Sequence, residues 1–316
     1  MPEIMGHSAA LETIRAALVS ERVHHAWIFS GPPGIGKFTL ACEFARVILD
    51  PEAEPNGLGG GGSTLPSEDG RLLESGTHPD LHIVRKEDAD YSRNQTLRRR
   101  KQANIPLDLL RERVIGGTGS DGHRNDAPAY LTTRRGQGKV FIIDESELID
   151  LNGQNALLKT LEEPPSRTWL FLVTSSPERL LPTVQSRCIH VRTGTLDETD
   201  MRNWIERNLN EVPDLDWLLH WSQGSPGMAK MADHTGMYEA SRTLDPILSD
   251  LDRGHWRESF GSEIAAFISQ WADQQVKESS NASKDVANKQ AAGLVFRYLG
   301  LHTRDRIASV EAGDAA

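Results

Sequence analysis

Cysteine is nearly missing from this sequence: Cys42 and Cys188 are the two among 316 residues. They lie far apart, which argues against a disulfide framework and fits a reducing, cytoplasmic home. No run of about 18 apolar residues occurs, and the mean hydropathy is −0.46, so no membrane span and no membrane partner are expected. The opening MPEIMGHSAALETIRAAL has charges inside an amphipathic helical pattern. It lacks the basic start and long apolar core of a secretion signal. Positive charge is also in short supply. Lys and Arg number 35 against 45 Asp and Glu, a formal net charge of −10. That excludes a surface that is basic all over and wraps nucleic acid; any DNA contact is local or belongs to partners. Hydrophobic residues at 38% suffice for real cores, and the length predicts two or three domains at roughly 100–200 residues each.

What is present, first, is a loop. From Ala26 to Leu40 the chain reads AWIFSGPPGIGKFTL. An apolar run, Trp27 to Phe29, breaks into Gly31-Pro32-Pro33-Gly34-Ile35-Gly36-Lys37, and a helical pattern follows through Leu40, Ala41, Phe44, Ala45 and Ile48. Strand, glycine loop and helix in that order make a phosphate-binding loop. Glycines allow positive φ and bring backbone N–H groups up to phosphates, and the helix N-terminus adds the positive end of its dipole. Lys37 reaches the outer phosphates. Gly31, Pro33, Gly34, Ile35, Gly36, Lys37, Phe38 and Thr39 are therefore the candidate nucleotide-binding residues, with ATP and Mg²⁺ as the ligand. The motif, however, places Ser or Thr directly after the lysine as a Mg²⁺ ligand. Phe38 stands there, and Thr39 comes one residue late, about 100° further round a helix of about 3.6 residues per turn. Nucleotide binding is expected and good Mg²⁺ coordination is not; Thr39 and Asp144 remain as weak Mg²⁺ ligands. A glycine-rich turn without a ligand is the plain alternative.

Residues 4–20 read as a helix through Ile4, Leu11, Ile14 and Leu18. His24 and His25 are neighbours on a non-helical stretch with no third ligand near, so surface or satisfied histidines are favoured over a metal pair. The helix after the loop runs to about Leu49. Residues 55–70, PNGLGGGGSTLPSEDG, have the composition of a flexible linker. Leu81 to Val84 is a short strand. Arg93, Arg98, Arg99, Arg100 and Lys101 form a basic cluster inside an irregular insert over 85–137. It is a DNA phosphate contact or a solvated loop, and the loop is favoured because no aromatics are interleaved. Residues 105–115 predict a helix with Leu107, Leu110 and Val114 on one face, and 116–138 a polar loop.

The second chemical element is Lys139-Val140-Phe141-Ile142-Ile143-Asp144-Glu145. Four apolar residues predict a buried parallel strand, with two carboxylates at its C-terminal end, where open α/β sheets place their sites. In a nucleotide-hydrolysing site Asp144 would hold Mg²⁺ and Glu145 would polarise the attacking water. Alone such a run is a weak signal; roughly 100 residues after a phosphate loop it strengthens. Exposed carboxylates capping the next segment are the alternative. Leu151 to Leu161 is a helix ended by Pro164-Pro165. Trp169 to Val173 is another buried strand, ending in Thr174-Ser175-Ser176. Thr174 and Ser175 are candidate sensors of a γ-phosphate, or members of a Ser/Thr turn before Pro177.

NALLKTLEEPP from Asn155 to Pro165, LPTVQSRC from Leu181 to Cys188, Gly6-His7 and His25-Ala26 together resemble bacterial clamp-loader subunits of the AAA+ class. Within them the sequence is most similar to delta-prime subunits of DNA polymerase III; replication factor C small subunits share the Ser-Arg-Cys element. The motifs cover residues 5–230. The resemblance implies a P-loop parallel sheet sandwiched by helices over 1–196, a small helical lid over 197–237 and an all-α collar over 238–316. It implies a subunit of a pentameric loader that opens a sliding clamp and places it on primed DNA, within a DNA-directed DNA polymerase (nucleotidyltransferase) holoenzyme in the cytoplasm, at the nucleoid-associated replisome. Its partners would be gamma/tau-like and delta-like subunits, with clamp and DNA reached through the complex. Delta-prime subunits are typically the rigid stator. By resemblance Arg187 is the arginine finger, inserted into the ATP site of the adjacent subunit. A permanently charged, forked guanidinium suits that task; an ordinary surface ion pair is the alternative.

Three departures matter. Many delta-prime subunits carry a four-cysteine zinc module after the first helix; here that region has no cysteine, and zinc is not expected. Phe38 replaces the hydroxyl. Met228, in Gly224-Ser-Pro-Gly-Met228, stands where active members put a nucleotide-binding arginine, and a thioether carries no charge. These defects point to binding without efficient hydrolysis: the purified chain is expected to bind ATP weakly or not at all and to hydrolyse it negligibly. The intact Asp144-Glu145 keeps the alternative alive: an active AAA+ ATPase, either a gamma/tau-like clamp-loader motor or a branch-migration motor. In the lid, Met201, Trp204, Ile205 and Leu209 share a face, as do Trp217, Leu218 and Trp221. Phe260, Ile264, Phe267, Ile268 and Trp271 form a stripe. Residues 276–290 read as a loop or a poorly packed helix. Leu294, Phe296, Tyr298 and Leu299 offer a last helix before a soft acidic tail.

Overall fold

The computed structural model describes residues 4–20, 22–59, 66–99, 103–256, 258–278 and 284–314. Arg100, Lys101 and the middle of the glycine-rich stretch lie outside them. The chain divides into two compact units, Met1–Asp200 and Met201–Ala316.

In chain order the first unit holds α1 (Ser8–Val19), β1 (Ala26–Ser30), α2 (Lys37–Leu49), α3 (Glu68–Glu74), β2 (Leu81–Val84), α4 (Gln95–Arg98) and α5 (Leu107–Leu110). It continues with β3 (Gly117–Thr118), β4 (Arg124–Asn125), β5 (Lys139–Ile143), α6 (Leu151–Glu162), β6 (Thr168–Thr174), α7 (Pro182–Gln185) and β7 (Ile189–Arg192). Five strands form one sheet in the order β2-β5-β6-β1-β7, every pair parallel.

Every residue of β1 and β5 is buried, as continuous apolar runs require when both sheet faces are covered. Alternation along the strands divides the core. Ala26, Ile28, Phe141, Ile143, Leu170 and Leu172 pack with Leu109 and Leu110 of α5 and Leu157 and Leu161 of α6. Trp27, Phe29, Val140, Ile142, Phe171 and Val173 pack on the other face with Ile14 of α1 and Leu40 and Phe44 of α2. Phe44 seats α2: its ring stacks on Phe171 at 4.9 Å and meets Trp27 edge-on at 5.0 Å. This is the P-loop sheet sandwiched by helices that the AAA+ resemblance implies. The register Ser30↔Thr174, Ile143↔Leu172 and Val84↔Ile143 brings the ends of β1, β6, β5 and β2 to one edge.

The described parts of the inserts are more ordered than their composition suggests. In 55–70, Pro55–Gly57 makes a tight turn, and Ser67 starts α3 by accepting from Gly70 N at 2.7 Å. In 85–137, the β3–β4 hairpin and α4 break the expected irregularity. The helix expected over 105–115 is split: α5 gives way to a wider, π-type turn, Arg111–Ile115. Buried Asp80 fastens the insert's end by accepting from Arg134 N and Arg135 N. Such tethers are long-range, and composition does not carry them.

The second unit is helical. α8 (Glu198–Asn208) leads the chain into it, and α9 (Leu215–Ser222), α10 (Pro226–Thr235), α11 (Met237–Asp252), α12 (Phe260–Glu278) and α13 (Lys284–Asp314) follow. Arg297 donates to Trp221 O at 3.0 Å. The Phe260 stripe packs with Leu244 and Val295. Of the loop and the poorly packed helix expected over 276–290, residues 276–278 and 284–290 are helical, with 279–283 outside the described residues; Ala272, Ala287 and Ala291 let α12 and α13 pack closely. One expectation needs correction. The expected soft tail continues α13 to Asp314. Among the described residues no helix is long and apolar enough to cross a membrane.

Candidate nucleotide-binding site

A cavity of about 460 Å³ opens at the sheet edge where β1, β5 and β6 end. It is lined by Pro33, Gly34, Gly36, Lys37, Phe38 and Thr39, by Asp144, Glu145 and Glu147 after β5, and by Val173, Thr174 and Ser175. Gly34 and Gly36 have φ of 75° and 97°, a region that glycine enters without strain. Gly36 begins α2 with no side-chain cap, so the first amides of the helix face the loop as donors. Gly31 and Ile35 do not line the cavity but shape its wall. A Cβ on Gly31 would fall 2.2 Å from Thr193 O. Ile35 is buried, and its carbonyl accepts from His7 Nε2 at 2.7 Å.

Lys37 is 6% exposed. Its Nζ donates to Pro32 O at 2.7 Å and to Ser175 Oγ at 3.0 Å. Burial pushes its pKa down, and the charges of Glu147 and Asp144 oppose that. Of the two sensor candidates, Ser175 is thus the one in contact with the lysine. Thr174 turns its Oγ1 to accept from Ser176 N at 3.0 Å, as a Ser/Thr turn would.

The two carboxylates after β5 are engaged. Parallel pairing of Val84 with Ile143 places the next residues of each strand side by side. Arg85 Nε donates to Asp144 Oδ2 at 3.4 Å, and Lys86 Nζ lies 2.7 Å from Glu145 Oε2. The Arg85 guanidinium also lies over the Phe38 ring, 4.5 Å from its centroid. Burial raises the pKa of Asp144, while Arg85 draws it back down. Glu145 adopts a left-handed φ of 49°, a conformation that costs a non-glycine residue on the order of 1 kcal/mol or more and gathers at functional sites. Glu147 was missed by the sequence reading. Its Oε1 accepts from Ser175 N at 3.1 Å, and its Oε2 is buried without a hydrogen-bond partner among the described residues. The signal was a third acid in Asp144-Glu145-Ser146-Glu147.

The loop fits a polyphosphate: positive-φ glycines, open helix amides and a buried ammonium converge on one cavity. Magnesium fits poorly. It needs oxygen ligands at about 2.0–2.1 Å, yet a guanidinium stands on Asp144, an ammonium on Glu145, and a phenyl ring where the hydroxyl belongs. Among the described residues no group of three or more His, Cys, Asp or Glu is placed to hold a metal ion. His24 and His25 are satisfied by backbone, at Ala26 O (2.9 Å) and Leu161 O (2.8 Å).

Arg187 is not among the residues lining this cavity. It follows α7 with 36% of its side chain exposed. Nη1 donates to Thr183 O at 2.8 Å, and Nη2 pairs with Glu162 Oε1 at 2.8 Å. The Glu-Glu-Pro-Pro and Ser-Arg-Cys motifs therefore touch through one ion pair. Met228 lies in the first turn of α10, its N–H donated to Ser225 Oγ at 3.3 Å. Arg93, Arg98 and Arg99 are exposed.

The family model described as "DNA polymerase III, delta subunit" matches residues 6–115 and 123–197. The chain is 32% identical to DNA polymerase III subunit delta' of Pseudomonas aeruginosa over 217 residues, covering 68% of this chain and 57% of that protein. Against subunit delta' of Escherichia coli the figures are 30% over 247 residues, 78% of this chain and 65% of that one. Subunit tau of Salmonella typhimurium is 31% identical over 66% of this chain and 28% of its own length. The chain thus spans less than two thirds of these relatives. Among solved structures, a DNA polymerase III gamma subunit-related protein from Thermotoga maritima aligns over 94% of this chain and 98% of its own, with 13% identity and a TM-score of 0.43.

Proposed function

This chain belongs to the DNA polymerase III delta subunit family as a delta-prime-type member, and we propose that it serves in the clamp loader as a stator that lends Arg187 to a neighbour's ATP site. In this reading it helps place the sliding clamp on primed DNA, beside gamma/tau-like and delta-like subunits at the cytoplasmic replisome, and hydrolyses little or no ATP itself.

The supporting observation is the placement of Arg187. It stands at the surface, outside its own chain's cavity, with 36% of the side chain exposed. Its partner Glu162 is 51% exposed, and a surface pair of that kind is worth about 0–1 kcal/mol. Exchange of the carboxylate for a triphosphate is therefore cheap. A guanidinium brought to a γ-phosphoryl group from a second subunit stabilises the charge of the transition state, worth about 10³–10⁵ in rate where measured.

The test is a reconstituted loader with gamma/tau-like and delta-like subunits. Arg187→Ala should lower turnover at the neighbouring site by at least about a hundredfold while thermal unfolding of the chain is unchanged. Equal ATPase with and without the arginine would refute the reading. The second reading, an active ATPase, draws on Asp144 and Glu145 at the end of β5. It requires the isolated chain to turn over ATP at about 1 s⁻¹ or faster, the lower end of ordinary enzymes.

A further inference from the structure

The motif expects a magnesium ion between Asp144 and the phosphates. The chain sets its own cations against the acids after β5: Arg85 on Asp144 and Lys86 on Glu145, both beside the cavity rather than among the residues that line it. We propose that Arg85, with Lys86 beside it, is the resident cation of this site, and that the loop takes the polyphosphate of a nucleoside di- or triphosphate without a divalent metal. The proposal rests on the phosphate-loop reading of residues 31–39.

Three contacts carry it. Arg85 Nε donates to Asp144 Oδ2 at 3.4 Å. The same guanidinium covers the Phe38 ring at 4.5 Å, an attractive arrangement for a cation over an aromatic face. Lys86 Nζ sits 2.7 Å from Glu145 Oε2. Phe38 and Asp144 both line the cavity, so the guanidinium bridges the two positions from which a metal would be held.

These contacts are built in by the fold. The β2–β5 register sets Arg85 beside Asp144 and Lys86 beside Glu145. Arg85 N is itself fixed by Asp88 Oδ2 at 2.7 Å. The loss of the hydroxyl and the gain of the arginine are then one change: a phenyl ring at position 38 cannot ligand a metal, but it can seat a guanidinium. The fork of N–H groups matches phosphate oxygens, stays charged at every working pH, and needs no coordination shell of waters to be stripped. A dication would have to displace one like charge from Asp144 and another from Glu145.

The experiment uses the full chain and ATP as probe, titrated calorimetrically in excess EDTA and again in millimolar magnesium chloride. The wild-type affinity should agree between the two within about threefold. Arg85→Ala should weaken binding in EDTA by about tenfold or more, and magnesium should then strengthen it, because Asp144 is released. Arg85→Lys, which keeps the charge and loses the fork, should fall between and stay indifferent to magnesium. It also serves if the alanine variant does not fold. Wild-type binding that depends on magnesium, yet is lost in Lys37→Ala, would overturn the proposal and leave the phosphate loop standing. Unchanged binding by Arg85→Ala in EDTA would also overturn it. No ATP binding under any condition, or binding indifferent to Lys37→Ala, would overturn the proposal and the phosphate-loop reading together.

Discussion

Gly31→Ala probes how firmly the loop is tied to the sheet. Gly31 has a φ of 154°, and an added Cβ would lie 2.2 Å from Thr193 O, 2.7 Å from its Oγ1 and 2.8 Å from Ile35 Cδ1. The first of these is backbone and has no rotamer to escape into. Thr193 is itself held, since its N and its Oγ1 both donate to Ser30 O, at 2.8 and 3.1 Å. Those bonds close β7 on β1 at the point where the loop departs. An unfavourable φ costs about 1–3 kcal/mol, and overpacking adds about 1–3 kcal/mol, for a loss of about 2–6 kcal/mol.

Gly36→Ala is the matched control. Its φ of 97° carries the same class of backbone penalty, but the nearest atom to an added Cβ is His7 Nε2 at 4.0 Å. It should cost about 1–3 kcal/mol and no more. The two variants should therefore differ by about 1–3 kcal/mol, the overpacking alone. At about 2–4 °C per kcal/mol for a unit of this size, Gly31→Ala should melt about 2–12 °C below Gly36→Ala. Calorimetric melting of both variants decides it. Gly31→Ala within about 1 kcal/mol of wild type, or Gly36→Ala as the more damaging of the two, would refute the steric reasoning.

Two further outcomes follow from buried groups. His82 stacks on Phe141, ring centroids 4.6 Å apart, and burial, then the Lys139 charge, hold its pKa below 6.5. The native state thus takes up a proton less readily than the unfolded chain, and stability is full above about pH 6.5 and falls as the solution is acidified through the folded pKa. His82→Phe should flatten part of that acid limb in urea titrations at pH 7.5 and 5; identical pH dependence would remove His82 as a cause. Burial pushes both thiols, Cys42 and Cys188, up to about 12, so almost no thiolate exists at neutral pH. Native protein should label negligibly with a disulfide reagent at pH 7.5, and urea should release two equivalents per chain; rapid native labelling would contradict the burial.

What could be read from the sequence was local. Gly31 to Lys37 signalled a phosphate loop because backbone conformation there is a matter of adjacent residues. The strands at 139–143 and 168–174 announced themselves because a buried parallel strand is apolar without interruption. The choice between loop and helix at 276–290 stayed open because the packing there runs mainly through the small Ala272, Ala287 and Ala291, which leave a weak apolar stripe among polar residues.

Asp144 and Glu145 illustrate the other limit. The sequence named both acids and placed them at a strand end, and from there assigned them to a metal and a water. Their actual neighbours, Arg85 and Lys86, stand 59 residues earlier and look like any charged pair after a short strand. Only the pairing of Val84 with Ile143 brings the four together, and a slip of one residue would separate every partner, since side chains alternate across a sheet. The same register explains why Phe38 need not be read as a defect. A phenylalanine that merely lost a metal ligand would leave two acids facing each other across an open edge. With a guanidinium lying on its ring and reaching Asp144, the substitution and the cations compensate one another, and the site becomes one that exchanges a removable charge for a fixed one.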